Sequence, residues 1–143
     1  METKTVRPVE ESTAILSPFM GRSQAGCVAV CLAGEEGDFF VQKLSELADV
    51  IEAMPKSYEQ DGKGDDAIAY LHYFGFGDWW ITEKDAGSPD DTPEDAQSQA
   101  FGLCRLQFGP SLGYVSLPEI LAAGVELDFY WTPKTLREIK AKL

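Results

Sequence analysis

Five carboxylates in two polar stretches, Asp61, Asp65, Asp66, Glu83 and Asp85, offer the most chemistry in this chain, because clustered carboxylate oxygens can hold Mg²⁺ for phosphodiester cleavage. Such a site also needs a paired general base or a lysine on a rigid strand. The one E-x-K pair, Glu138 and Lys140, falls on a predicted exposed helix, so a solvated acidic surface is the better account. Lys63 lies between Gly62 and Gly64, but no glycine stands five residues ahead and no Ser or Thr follows the lysine, so this is a turn and not a P-loop. The single histidine, His72, sits in mid-strand among aromatics with no Ser or Cys elbow near it; it reads as a satisfied core or edge residue. One histidine cannot make a multi-His metal site. Cys27 and Cys31 form C-x3-C, neither a zinc knuckle nor a redox pair, and with Cys104 are expected to be buried, reduced thiols. No catalytic residue, no metal ligand and no cofactor is expected.

Trp79 and Trp80 could stack bases, but that use needs a basic groove, and Asp78 and Glu83 flank them. Core packing is expected for one; the other must point the opposite way and would mark a partner surface. Twelve Lys and Arg against 24 Asp and Glu give a net charge of −12, a field that repels phosphates, so direct nucleic-acid binding is not expected. No run approaches the roughly 18 apolar residues of a membrane helix. The start METKTVRPVEEST has no basic segment joined to an apolar one, which predicts a cytoplasmic protein.

Small acidic proteins can imitate DNA. From Glu83 to Asp95 run six acids, Glu83, Asp85, Asp90, Asp91, Glu94 and Asp95, with one lysine. Extended, that stretch reaches about 43 Å, roughly one carboxylate per 7 Å against one phosphate per ~3.4 Å of a DNA strand. It is too dilute alone. Glu59, Asp61, Asp65 and Asp66 would supply a second row if the two loops adjoin. The predicted partner-binding face is therefore Asp61, Asp65, Asp66, Glu83, Asp85, Asp90, Asp91, Glu94 and Asp95.

These residues must be positioned by one domain, since 143 residues leave no room for a second core. Residues 1 to about 23 show no sustained period, and AGCVAVCLAG (25–34) is an apolar run of strand length, consistent with a buried strand. Phe40, Leu44, Leu47, Ile51 and Met54 recur at helical steps before Pro55, predicting a helix over about 39–53 with Asp38 as its cap. AIAYLHYF and WWITE read as a hairpin at the centre of the sheet. FGLCRLQF is a strand whose shifting apolar phase suggests a bulge or burial on both faces, and Gly109, Pro110 and Gly113 suggest the next turn. Ser116 and Glu119 form a capping box for a short helix near 117–123. VELDFYW alternates as a strand, with Val125, Leu127, Phe129 and Trp131 inward, and Thr132 and Pro133 open a helix near 133–142. The class is α+β, a single domain with a mainly antiparallel sheet.

LSELADVIEAMP, EQDGKGDDAI, the W-x-x-T-E run at Trp79 to Glu83, LGYVSLPEI and DFYWTPKTL resemble, in order and spacing, a small domain-of-unknown-function family of plasmids, phages and other mobile elements. The likeness covers about residues 41–143, leaving 1–40 as an N-terminal extension with one strand. Some family members are similar to anti-CRISPR inhibitors of effectors such as Cas9; others carry a loose label of DNA endonuclease. The resemblance implies a non-enzymatic inhibitor, in the cytoplasm of a bacterial host, whose partner is a Cas9-type nuclease or its ribonucleoprotein. The alternatives are a metal-dependent nuclease and an accessory interaction protein of a mobile element.

Overall fold

The computed structural model describes residues 5–88, 90–92, 95–107 and 109–143. Helices α1 (Val9–Leu16), α2 (Arg22–Ala33) and α3 (Gly37–Ala53) come first. Then follow β1 (Ile68–Ala69), β2 (Leu71–Phe74), β3 (Asp78–Glu83), β4 (Ala100–Leu106) and β5 (Gly109–Val115). The chain continues with α4 (Leu117–Ala122), β6 (Glu126–Leu127), β7 (Lys134–Thr135) and α5 (Leu136–Lys140). The main sheet is antiparallel in the order β5-β4-β3-β2-β6, and β1 pairs with β7 in a small second sheet. This is a single α+β domain.

α3 forms where its periodicity predicts. Leu44, Leu47, Ala48 and Ile51 are buried along one stripe, and Pro55 lies just past the end. It begins two residues earlier than expected, at Gly37, so Asp38 lies within the first turn, and no side chain caps the N-terminus. At the other end the Lys84 ammonium donates to the carbonyl oxygens of Ile51 and Glu52, where a cation meets the negative end of the helix dipole.

The expected strand over 25–34 is a helix. A short apolar run cannot be told from a buried helix by its length of hydrophobicity alone. The deciding pattern is Ala25, Val28 and Leu32, at steps of three and four, which all pack against the main core. Gln24 then ties α2 to β6, donating to the Leu127 carbonyl at 2.7 Å and accepting from its N–H at 2.9 Å. Leu16, Phe19 and Met20 are buried in the same core, and the fully buried Tyr73 hydroxyl donates to the Phe19 carbonyl at 2.6 Å. The segment from Ile15 to Phe40 therefore contributes side chains to this core.

The sheet is covered on both faces. Leu71, Tyr73, Trp79 and Ile81 face the main core with α3, joined by Val125, Leu127 and Phe129. Trp80 and Leu103 face the other way, into a smaller cluster with Leu136 and Ile139 of α5. Trp80 is only 5 % exposed, so the second tryptophan is no partner surface: α5 folds back over it. Trp131 also joins this smaller cluster rather than the main one, its indole N–H donating to the Ala69 carbonyl. The strand expected over 125–131 stops at Leu127 because Asp128 accepts a hydrogen bond from the Tyr130 N–H and turns the chain, an Asx-type competition with the ladder. The last helix likewise begins later than Pro133, at Leu136, with Thr135 as cap, because Lys134 and Thr135 are taken up pairing with β1. Ser116 caps α4 as its capping box predicts, accepting from the Glu119 N–H. Gly109, Pro110 and Gly113 lie within β5 and not in a turn.

A candidate binding pocket beside the edge strand

The bulge lies in β3 rather than in β4. Ile81 opposes Gly102 and Glu83 opposes Phe101, so Thr82 is the extra residue between them. Strict alternation from Ile81 would turn Glu83 toward the helices. The extra residue instead places it on the face of Phe101, since directly paired residues share a face. Tyr114 is paired with Phe101, and Leu112 with Leu103, so all of these side chains rise from one face.

Together they line a cavity of about 410 Å³ that is closed on its other sides by Leu136 of α5 and by the loop carrying Tyr58 and Asp61. Such a volume falls in the range of ligand clefts. Tyr58 has φ of +74°, a left-handed conformation that costs a non-glycine residue about 1–3 kcal/mol. Its ring is held by a hydrogen bond between the Tyr58 and Tyr114 hydroxyls, at 2.5 Å. That bond first, then desolvation and the charges of Tyr58, Glu83 and Asp61, pushes the Tyr114 phenol above its ordinary value. Phe101 meets Tyr114 edge to face at 5.5 Å. Tyr58, Leu112 and Tyr114 are nevertheless largely exposed, and β5 is the edge of its sheet.

Glu83 is the unusual member of the group. It is 4 % exposed, and its one side-chain hydrogen bond among the described residues comes from the Gln60 N–H at 3.5 Å, the outer limit of such a bond. Among the described residues no ion pair includes it. A buried carboxylate is costly unless it is paired.

The other acidic residues are dispersed. The two loops do adjoin at their roots, where Ser57 N–H donates to the Lys84 carbonyl and Lys84 N–H to the Pro55 carbonyl, but most carboxylates are engaged locally. Asp65 accepts from Lys140 at 2.7 Å and Asp66 from Arg137 at 3.1 Å, both on α5. The Lys140 hydrogen bond, followed by the charges of Lys140 and Arg137, holds the Asp65 carboxyl below its usual range. Asp85 accepts from the N–H groups of Gly87 and Gln99, Asp91 from that of Ser88, and Asp95 from the Thr92 hydroxyl. Asp90 is exposed, and Glu94 lies outside the described residues. Among the described residues most carboxylates of the expected face are thus bonded locally, and Glu83 lines a pocket instead of an open acidic face. The sequence held a signal for this in the break in alternation through Trp79, Trp80, Ile81, Thr82 and Glu83; the phase shift in FGLCRLQF instead reflects burial of β4 on both faces, Ala100 in one cluster and Leu103 in the other.

His72 is held between two carboxylates, with Nδ1 2.9 Å from Asp128 and Nε2 2.9 Å from Asp78. Its ring stacks on Trp80 at 5.4 Å and lies 5.2 Å from Trp131. Both nitrogens are engaged by carboxylates, and the residue joins β2, β3 and the turn after β6. Of the cysteines, Cys104 is partly buried, which raises its thiol, whereas Cys27 is exposed, contrary to the expectation of three buried thiols: α2 contacts the core only along its Ala25, Val28 and Leu32 stripe. Among the described residues no cluster of three or more His, Cys, Asp or Glu is placed to hold a metal ion, and no helix is long and apolar enough to cross a membrane. Compared with family models, curated proteins and solved structures, the chain matches none.

Proposed function

We propose that this protein is a non-enzymatic inhibitor that binds the basic, nucleic-acid-handling surface of a CRISPR effector nuclease of the Cas9 type, or of its guide complex. The observation that carries the protein-binding part is the patch at the sheet edge, where exposed Tyr58, Leu112 and Tyr114 surround a cleft holding Asp61 and Glu83. Aromatic and apolar side chains with an acidic rim are the chemistry of a protein interface, and the net charge of −12 favours encounter with a basic partner. The Cas9-type target follows from the resemblance of residues 41–143 to the mobile-element family.

The test is target-DNA cleavage by purified Cas9 and guide with and without this protein. The reading requires inhibition that weakens from 0.1 M to 1 M salt, as the Debye length falls from ~10 to ~3 Å. Unimpeded cleavage at low salt, or degradation of DNA by the protein itself in Mg²⁺, overturns it.

A further inference from the structure

We infer that the cavity under Tyr58 and Tyr114 is a recognition pocket for one arginine side chain of a partner protein, with Glu83 as its counter-ion. This rests on the protein-binding reading above and names the group that is bound. A carboxylate buried to this degree, whose one hydrogen bond among the described residues is marginal, gains from a cation supplied from elsewhere that offsets its desolvation, and the bulge at Thr82 aims it into an open cavity and not into the core. Asp61 adds a second negative charge at the same cavity.

The walls favour arginine over lysine. A guanidinium is planar, weakly hydrated and able to stack on aromatic faces, and it meets a carboxylate through two parallel N–H bonds. Phe101, Tyr58 and Tyr114 supply rings, where an ammonium would lose its stronger hydration for a single point contact. The cleft opens beside the edge strand β5, whose exposed Leu112 and Tyr114 give the rest of the partner segment apolar surface to cover. A free small amine would leave that surface bare.

The experiment titrates the full-length ¹⁵N-labelled protein with the peptide acetyl-Gly-Arg-Gly-amide and with its lysine and citrulline counterparts, reading amide shifts. The expected result is saturable shifts at Gln60, Glu83 and Tyr114 with the arginine peptide, weaker ones with lysine and none with neutral citrulline. Glu83→Gln, which keeps the side-chain shape, should weaken the arginine peptide about tenfold or more, as loss of a charged hydrogen bond does. Asp61→Asn, at an exposed position, should weaken it by a smaller factor and serves if Glu83→Gln fails to fold. Equal shifts with citrulline or lysine, no saturable shift with arginine, or binding unchanged in the folded variants would each overturn the pocket. The same variants in the Cas9 cleavage assay separate the two claims. Inhibition that persists without peptide binding removes the pocket and keeps the inhibitor; peptide binding without inhibition does the reverse.

Discussion

Adding one methyl group at Gly102 should damage this fold more than almost any other change of its size. Gly102 lies in β4, opposite Ile81 where the bulge in β3 begins. A Cβ there would stand 2.1 Å from the Trp80 carbonyl oxygen and 2.9 Å from the Ile81 Cα. Close carbon to carbonyl contacts between strands are about 3.3–3.6 Å, so β3 and β4 would have to part by roughly 1 Å. Both obstructing atoms are backbone, and no rotamer change can relieve them. Overpacking of this kind costs about 1–3 kcal/mol. The upper end is expected here because β3 carries Trp79 into one core and Trp80 into the other. Gly113 is the control: it is paired directly with Gly102, yet a Cβ on it meets nothing within 4 Å. Gly113→Ala should gain about 0.4–1 kcal/mol by restricting the unfolded chain. Equilibrium urea melts followed by tryptophan fluorescence measure both. With a slope near 2 kcal/mol/M, Gly102→Ala should lower the midpoint by about 1.5 M. Equal midpoints for the two variants would refute the bulge geometry from which the pocket is built.

Phe129→Ala should cost about 3–5 kcal/mol as a buried aromatic truncation, whereas Tyr130→Ala, whose side chain is 71 % exposed, should stay within about 0.5 kcal/mol; denaturant melts of the pair decide. Replacing His72 by Ala removes its bonds to Asp78 and Asp128 and should lower stability by about 2 kcal/mol; a neutral outcome in the same melts would show the clamp to be idle. Burial drives the Tyr73 phenol far above its ordinary value of about 10, so above pH 10 the unfolded tyrosine ionises while the folded one keeps its proton. Its contribution is full below pH 10 and is lost as pH rises. Lys84, lowered by desolvation, works in the opposite sense. Melts between pH 8 and 11 should therefore fall more steeply for wild type than for Tyr73→Phe. Replacing Asp90, Asp91, Glu94 and Asp95 together by their amides should leave the melting temperature within about 2 °C while weakening any salt-dependent inhibition, measured by calorimetry and the cleavage assay.

Where one stripe of residues must meet one core, the fold was legible in the residue order. The steps from Leu44 to Ile51 can bury a common face only as a helix, and Ser116 with Glu119 closes the first turn of α4 through purely local bonds. Burial of Val125, Leu127 and Phe129 against exposed Tyr130 was legible for the same reason, although of those positions only Leu127 lies in a strand. The helix over 22–33 was not legible, because small apolar residues serve either a strand or a helix and the choice fell to contacts with partners far along the chain, such as Leu127. Charge gave the total but not its disposition: α5 neutralises Asp65 and Asp66, and loop amides occupy Asp85 and Asp91. The pocket depends on tertiary structure altogether. A one-residue bulge reverses the direction of every side chain beyond it, and whether Glu83 meets Phe101 or the helices is settled by the register of β3 against β4, a pairing between residues distant in sequence whose strength lies in packing on both faces of the sheet.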